Sequence, residues 1–205
     1  MQTVVVVDYG MGNLRSVQKA LEHVADRARV VISSRPEEVR AADRVVFPGQ
    51  GAMPDCMHYL AENGLEEAVR EAAACKPFFG ICVGMQILFD HSEEGNTTGL
   101  GLFAGKVTRF LPDAEHKVPH MGWNQVAQTL PHPLWSDIDN DERFYFVHSY
   151  FCTPTDPAVS TGVSRYTTPF TAALSRDNIF ATQFHPEKSH RAGLTLYKNF
   201  LDWSP

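Results

Sequence analysis

Short apolar runs alternate with amphipathic segments in the first half of the chain. Three runs rich in β-branched residues, at positions 3–7, 29–33 and 44–47, are typical of parallel strands that are covered on both faces. Segments with helical spacing of apolar residues separate these runs, at 14–24 and 36–42. This alternation of strand and helix predicts a doubly wound α/β sheet with helices on both faces.

The second half of the chain has a different pattern, in which strands follow one another. Strands are predicted at 105–110, 123–129, 142–150, 162–166, 170–176 and 180–184, followed by a helix at 191–203. Strands joined by short connections pair antiparallel, so we expect an antiparallel section to extend the mostly parallel sheet. A chain of 205 residues with no internal repeat can form one core, and residues 1–205 are predicted to be a single domain.

Cys82 lies at the corner between an apolar run at 77–81 and a helical pattern at 83–90, with Gly80 and Gly84 on either side. This is the pattern of a nucleophile elbow with cysteine in the serine position. The sharp turn presents the side chain at the carboxyl end of the strand, and the start of the helix favours the thiolate. The alternative interpretation is a buried cysteine in an ordinary turn between strand and helix.

A cysteine nucleophile needs a base, and the base needs a carboxylate that orients it. His185 and Glu187 follow the strand predicted at 180–184 and are two residues apart, so both can point the same way. Pro186 stiffens the span between them. A solvated surface turn is the alternative for this segment, but a second strand end at Cys82 favours the catalytic interpretation.

The loop at 48–52 contains two glycines and follows the third predicted strand. Parallel sheets bind their ligands at the carboxyl ends of the strands. The glycines let a backbone N–H turn toward a neighbouring oxyanion. An ordinary turn is again the alternative.

Composition argues against several other functions. The net charge is −6 and the Lys and Arg residues are scattered, so nucleic acid is not an expected partner. The four cysteines have neither metal-ligand spacing nor the density of a disulfide framework, which fits reduced thiols and no metal site. No segment approaches membrane-spanning length and no basic leader begins the chain, so a soluble cytoplasmic protein is expected. The Gly10 and Gly12 loop lacks the third glycine of a dinucleotide site, and no cofactor is predicted.

The segments GICVGMQ at 80–86 and FHPE at 184–187 resemble those of class I glutamine amidotransferases. Further segments are similar to the glutaminase subunits of imidazole glycerol phosphate synthases from histidine biosynthesis: DYGMGNL (8–14), PGQG (48–51), PHMGWN (119–124), YFVHSY (145–150) and HPEKS (185–189). The resemblance covers the chain from end to end. It implies that Cys82 attacks the side-chain amide of glutamine and releases ammonia, with His185 as acid and base and Glu187 fixing the imidazole.

The resemblance also implies roles for residues around this triad. An oxyanion hole is expected from the backbone N–H of Val83 and from the loop of Gly49, Gln50 and Gly51. The amino-acid end of glutamine is expected to contact four further positions, namely Gln86, His148, Ser149 and Tyr150. Gln50 departs from the family pattern, because many relatives carry an apolar residue there.

A partner is implied as well, a (βα)₈ barrel cyclase subunit that receives the ammonia in a heterodimer. Asn13, Trp123 and Lys188 fall at matching interface positions, and Met121 and Tyr145 lie in segments close to it. Three alternatives stay open from the sequence. They are a glutaminase subunit of another class I amidotransferase, a cysteine hydrolase that acts without a partner, and a binding subunit that keeps the fold but not the catalysis.

Overall fold

The computed structural model describes residues 1–205 as one large sheet flanked by helices. The helices are α1 (Leu14–Val24), α2 (Pro36–Ala41), α3 (Met53–Glu62), α4 (Glu66–Cys75), α5 (Val83–Gln86) and α6 (His190–Asp202). The strands are β1 (Gln2–Val7), β2 (Ala28–Ser33), β3 (Arg44–Gly49), β4 (Phe78–Cys82), β5 (Phe89–Ser92), β6 (Thr97–Thr98), β7 (Phe103–Arg109), β8 (His120–Gln128), β9 (Glu142–His148), β10 (Tyr150–Pro154), β11 (Ser160–Arg165), β12 (Pro169–Arg176) and β13 (Ile179–Thr182).

Five parallel strands form the core of the sheet, in the order β2, β1, β3, β4, β13. The chain moves from β1 outward to β2 and then back past β1 to β3. Because such crossovers are right-handed, α1 lies on one face of the sheet and the helices after β2 lie on the other. Within these layers α1 packs beside α6 and α2 packs beside α4. The predicted doubly wound arrangement is confirmed.

The antiparallel section begins at β13, which pairs antiparallel with β12. The sheet then continues from β12 through β10 to β7, while β11, β8 and β9 branch off from β12. The buried side chains of both halves belong to one hydrophobic cluster, so the antiparallel section shares the core of the parallel sheet. No helix is both long and apolar enough to cross a membrane.

The helix predicted at 83–90 was wrong beyond Gln86, where α5 ends. The carbonyl groups of Ile87 and Leu88 accept backbone hydrogen bonds from Leu100 and Leu102, at 2.7 and 2.8 Å. The chain then becomes extended as β5, which pairs parallel with β7. Pairing with a segment more than ten residues away thus overrides the local helical pattern.

The strand predicted at 142–150 is two strands that separate at Ser149. β9 pairs with β8, whereas β10 pairs with β7. The chain therefore changes partner at Ser149, whose carbonyl accepts a hydrogen bond from the backbone N–H of Phe110 at 2.9 Å. The break places Ser149 and its neighbours at the carboxyl end of the parallel strands, beside Cys82.

Candidate active site

Cys82 joins β4 to α5 in a backbone conformation that non-glycine residues rarely adopt. Its φ is 55° and its ψ is −112°, which fits the sharp, strained turn of a nucleophile elbow. Gly84 makes this turn possible, because a Cβ there would lie 2.0 Å from the carbonyl oxygen of Phe47. Cys82 is only 4% exposed, so a substrate must enter the cleft to reach the sulfur.

His185 and Glu187 follow β13 and line up at the same edge of the sheet as Cys82. Nδ1 of His185 lies 2.9 Å from Oε1 of Glu187, and their side chains are 8% and 2% exposed. The hydroxyl of Tyr197 reaches the second carboxylate oxygen of Glu187 at 3.4 Å. Because Glu187 engages Nδ1, the ring nitrogen left for chemistry is Nε2.

Ser189 fixes the turn that carries this pair. Its hydroxyl donates to the carbonyl oxygen of His185 at 2.7 Å and accepts from the backbone N–H of Tyr145 at 3.0 Å. The backbone N–H of His185 in turn donates to the carbonyl of Tyr145 at 2.9 Å. These bonds tie the turn to β9, so the position of the imidazole is set by the antiparallel section.

The charges around His185 favour its protonated form. Burial alone lowers the pKa of the imidazole, but the Cys82 thiolate and the Glu187 carboxylate outweigh burial and raise the pKa to about 10. Nε2 is buried and makes no hydrogen bond, so it can give its proton to a group that arrives beside the sulfur. The arrangement can therefore act as a thiolate and imidazolium pair.

The glycine-rich loop after β3 packs directly against the elbow. Gly49 is the register partner of Cys82, and a Cβ on Gly49 would lie 2.5 Å from the backbone nitrogen of Gly84. Gln50 and Gly51 line the same cleft as Cys82, as does Val83. The structure thus brings the four predicted oxyanion-hole residues to the nucleophile.

Two buried side chains that sequence reasoning missed hold the carbonyl groups of this loop. The Tyr9 hydroxyl donates to the carbonyl of Pro48 at 2.8 Å, and the Cys56 thiol donates to the carbonyl of Gln50 at 3.5 Å. Burial raises the pKa of Tyr9 well above its ordinary value and that of Cys56 to about 11, so both keep the protons they donate. Tyr9 belongs to the segment at 8–14, but nothing in the sequence indicates that its ring points inward, and Cys56 belongs to no motif.

Gln86 lies on α5, and its side chain is held from two sides. Its amide nitrogen donates to the carbonyl of Tyr150 and to the side-chain oxygen of Gln183, both at 3.1 Å. Gln183, another residue the sequence analysis missed, points its own amide nitrogen at Sγ of Cys82 from 3.7 Å. Since both amide hydrogens of Gln86 are engaged, only its oxygen remains to accept a hydrogen bond from a ligand.

His148 and Tyr150 are joined by a hydrogen bond of 2.7 Å between Nδ1 of the ring and the backbone carbonyl. The other nitrogen of His148 lies 2.9 Å from Nδ1 of His120. Burial lowers the pKa of His148 to about 3 and that of His120 to about 4, so both rings are neutral near pH 7. The carbonyl of Tyr150 is occupied by Gln86 and His148, so any contact with a ligand must come from another group of this residue.

These elements enclose a cleft of about 280 Å³ in front of the sulfur. The volume suits a small amino acid rather than a polymer. Its lining contains most of the predicted site, namely Gln50, Gly51, Cys82, Val83, Gln86, Glu94, Pro119, Val147, His148, Ser149, Tyr150, His185 and Lys188. No three His, Cys, Asp or Glu side chains in the chain are grouped so that they could hold a metal ion.

Four of the five residues predicted at the interface lie together on the surface. Trp123 is the cross-strand partner of Tyr145, and the amino group of Lys188 lies 5.7 Å from the centre of the Tyr145 ring. Met121 and Trp123, two residues apart on β8, are 62% and 40% exposed and point to the same side. Asn13 precedes α1, a helix that contacts the turn after β13, in which Lys188 lies.

A family model and the similar proteins from other organisms both identify the same protein family for this chain. A sequence model of class-I glutamine amidotransferases matches residues 5–203. The chain is 62% identical to the imidazole glycerol phosphate synthase subunit HisH of Dechloromonas aromatica over 211 residues, which cover 100% of this chain and 98% of that protein. It is 60% identical to the subunit of the same name from Nitrosospira multiformis over 212 residues, with 100% of both proteins covered.

Solved structures with low sequence identity have the same fold. PurLQS from Thermotoga maritima is 18% identical, with a TM-score of 0.74 and 98% of both chains covered. The crystal structure of another glutamine amidotransferase is 19% identical, with a TM-score of 0.72 and 97% of both chains covered. These two similarities concern the fold alone.

Proposed function

Because the chain belongs to the class-I glutamine amidotransferases, and within them to the imidazole glycerol phosphate synthase subunits HisH, we propose that it hydrolyses glutamine and passes the ammonia to a (βα)₈ barrel cyclase in histidine biosynthesis. The observation that carries this proposal is the placement of Cys82 and His185 in the lining of one small cleft, with Glu187 bonded to Nδ1 of His185. Full-length identities of 62% and 60% to HisH proteins favour it over a component of another amidotransferase.

In the first half of the reaction, the Cys82 thiolate attacks the side-chain amide carbon of glutamine. The tetrahedral oxyanion accepts hydrogen bonds from the backbone N–H of Val83 and from the Gly49 to Gly51 loop. The intermediate collapses when the carbon–nitrogen bond breaks, and Nε2 of His185 gives its proton to the departing ammonia. The products of this half are a thioester on Cys82 and free ammonia.

In the second half, water hydrolyses the thioester. The imidazole of His185 is now neutral and takes a proton from the water as it attacks the thioester carbon. Glutamate leaves as the carbon–sulfur bond breaks, which restores the thiolate and the imidazolium. Glu187 keeps the ring in one orientation in both halves, through the bond of 2.9 Å to Nδ1.

The amino-acid end of glutamine is proposed to lie against Gln86 and the segment of His148, Ser149 and Tyr150. The side-chain oxygen of Gln86 is free to accept from the α-ammonium group, because the amide nitrogen is already engaged. The carbonyls of Ser149 and Tyr150 are also engaged, so these two residues contact glutamine through their N–H groups or side chains. In this proposed orientation the amide of the substrate, rather than its α-carboxylate, lies beside Cys82.

The surface formed by Met121, Trp123, Tyr145 and Lys188 is proposed to dock on the cyclase, with Asn13 at its margin. An exposed tryptophan and methionine side by side are the residues that protein interfaces favour. Lys188 belongs to both the cleft lining and this surface, so the cleft lies at the edge of the proposed interface. We further propose that residues 1–205 form one domain that acts in the cytoplasm, and the shared core of both halves supports the single domain.

The test is glutamate production from glutamine, with and without the cyclase and its nucleotide-type ligand. Wild type and Cys75→Ala, which removes an exposed thiol outside the site, should form glutamate in the presence of the cyclase. Cys82→Ala should form none above background. Glutamate formation by Cys82→Ala would overturn the assignment of the nucleophile. Turnover of unrelated amides by the isolated chain would favour a hydrolase that needs no partner.

A further inference from the structure

A line of hydrogen bonds runs from the proposed interface strand β8 to the floor of the cleft. Nδ2 of Asn124 lies 3.3 Å from Nε2 of His120, and Nδ1 of His120 lies 2.9 Å from Nε2 of His148. Nδ1 of His148 lies 2.7 Å from the carbonyl oxygen of Tyr150. That carbonyl also accepts from Gln86. The proposed reaction uses neither Asn124 nor His120.

The positions of the ring protons follow from the cleft end of the line. A carbonyl oxygen only accepts, so His148 carries its proton on Nδ1 and donates it to Tyr150. Nε2 of a neutral His148 must then accept, and the group that faces it is Nδ1 of His120. His120 therefore carries its proton on Nδ1 as well.

The hydrogen bonds of Asn124, at the other end of this line, independently give the same position for the proton of His120. The side-chain oxygen of Asn124 accepts from the backbone N–H of Gln125 at 2.9 Å, and its nitrogen donates to the carbonyl of Arg165 at 2.8 Å. The amide orientation is thus fixed with its nitrogen toward His120. Nε2 of His120 must accept, which again places the proton of His120 on Nδ1.

We infer that His120 is a positioning residue of the glutamine pocket, which holds His148 in the tautomer that anchors the Tyr150 carbonyl and, through it, Gln86. That this pocket binds glutamine rests on the proposed function, whereas the tautomers of the two rings follow from the geometry alone. If the proton of His148 moved to Nε2, two donors would face each other at 2.9 Å and the Tyr150 carbonyl would lose its shortest bond. Both rings are buried, so water cannot compensate.

The packing around His120 keeps its ring in this position. The ring stacks between Tyr166 and Phe146, with centroid distances of 4.2 and 4.9 Å. Phe110 adds an edge contact at 6.3 Å. Because both faces of the ring are covered, it can form hydrogen bonds only through its two nitrogens, one with Asn124 and one with His148. The orientation of the Asn124 amide therefore determines which tautomer of His120 faces His148.

The first test reads the tautomers without any need for activity. The full chain is labelled with ¹⁵N at histidine, and long-range ¹H–¹⁵N spectra are recorded at pH 7, with assignments from His120→Gln and His148→Gln. We expect both His120 and His148 as neutral rings protonated on Nδ1. A proton on Nε2 of either ring overturns the inference, whether or not the chain hydrolyses glutamine.

The second test separates positioning from general stability. In the complex with the cyclase and its ligand, His120→Phe should raise KM for glutamine about tenfold and leave kcat within about threefold, since a net hydrogen bond is lost from the pocket and not from the triad. His120→Gln, whose amide can still donate to His148, should restore KM to within about twofold of wild type. Equal KM values in wild type and His120→Phe, or equal increases in both variants, overturn the inference.

His132→Phe is the matched control. His132 is half-buried and accepts a hydrogen bond from the backbone N–H of Leu134 at 3.1 Å, so this variant also loses a bond to an imidazole. It lies in the turn after β8 and does not line the cleft. A rise in KM for His132→Phe as large as that for His120→Phe would assign the effect to stability and overturn the inference. If His120→Phe does not fold, the tautomers read from the wild-type spectra decide.

Discussion

The carboxylate of Glu187 and Nδ1 of His185 lie 2.9 Å apart in a nearly dry environment. This contact fixes which ring nitrogen faces the cleft, because Nδ1 can serve only one neighbour. The negative charge of Glu187 also helps to raise the pKa of the imidazole. One side chain therefore fixes the orientation of the ring and supplies part of the charge that keeps it protonated.

Glu187→Gln is expected to keep the shape of this contact and lose its charge. An amide can donate or accept, so the tautomer of His185 is no longer fixed, and the pKa of the imidazole falls. We expect kcat to drop by roughly 10² to 10⁴, as for a triad whose acid is neutralised. Glutamate production by the cyclase complex measures it.

Tyr197→Phe is the control for this variant, because its hydroxyl touches the same carboxylate from the longer distance of 3.4 Å. It should reduce kcat by less than about tenfold, since the charge of Glu187 is retained. If Glu187→Gln stayed within about threefold of wild type, the role proposed for this carboxylate would be wrong.

The two glycines beside Cys82 are expected to differ in their tolerance of a methyl group. A Cβ at Gly84 would lie 2.0 Å from a backbone oxygen of Phe47, whereas a Cβ at Gly80 would lie 3.1 Å from its nearest neighbours. Gly84→Ala must therefore displace backbone and should cost more than about 3 kcal/mol of unfolding free energy, while Gly80→Ala should cost about 1 to 3 kcal/mol. Urea unfolding at constant m value gives both numbers, and the reverse order would contradict the elbow geometry.

The parallel core was predicted well from the sequence, because local patterns of apolar residues indicate its strands and helices. Residues 3–7 are continuously β-branched, and strand β1 covers them, with residues 4–7 buried. The prediction failed after Gln86 and at Ser149, where β7 and β8 decide the conformation of segments far away in the chain. Local periodicity cannot report such pairing, because the partner is not in the window.

The residues of the site divide in the same way, into those that a local motif predicts and those that only the folded structure reveals. Cys82, His185 and Glu187 were found from the sequence because each lies at a strand end within a short motif, although their catalytic roles stay predictions until they are measured. Gln183 and Cys56 were missed, because each acts through side-chain contacts that only the folded chain creates. A buried glutamine or cysteine has no sequence signal that distinguishes such a contact from ordinary packing.

Trp123→Ala is expected to weaken binding to the cyclase without unfolding the chain. The ring is 40% exposed and lies flat on His190, with centroids 4.8 Å apart and an angle of 11°, so it is held ready for a partner. Loss of an interface tryptophan typically costs about 2 kcal/mol or more, which corresponds to an increase in Kd of about 30-fold. Titration calorimetry with the cyclase measures it.

Leu130→Ala is the control for that measurement, because Leu130 is 41% exposed but lies beyond the far end of β8. Its Kd should stay within about twofold of wild type, as for apolar residues outside an interface. Similar losses in both variants would place the interface elsewhere.

Stability is expected to fall in mild acid because of His120 and His148. Burial lowers their pKa values to about 4 and about 3, while both titrate near 6.5 in the unfolded chain. Between these values the unfolded state binds protons that the folded state does not, so the contribution of these two rings to stability is complete above about pH 6.5 and is lost as the pH falls. Each ring should remove about 1.4 kcal/mol per pH unit in this range.

Urea unfolding of wild type and His120→Gln at pH 7 and pH 5 tests this expectation. Between these two pH values the variant should lose less unfolding free energy than wild type, and the difference should equal the contribution of one ring. If wild type and His120→Gln lost equal unfolding free energy, His120 would be protonated in the folded chain at pH 5 and the expectation would be wrong.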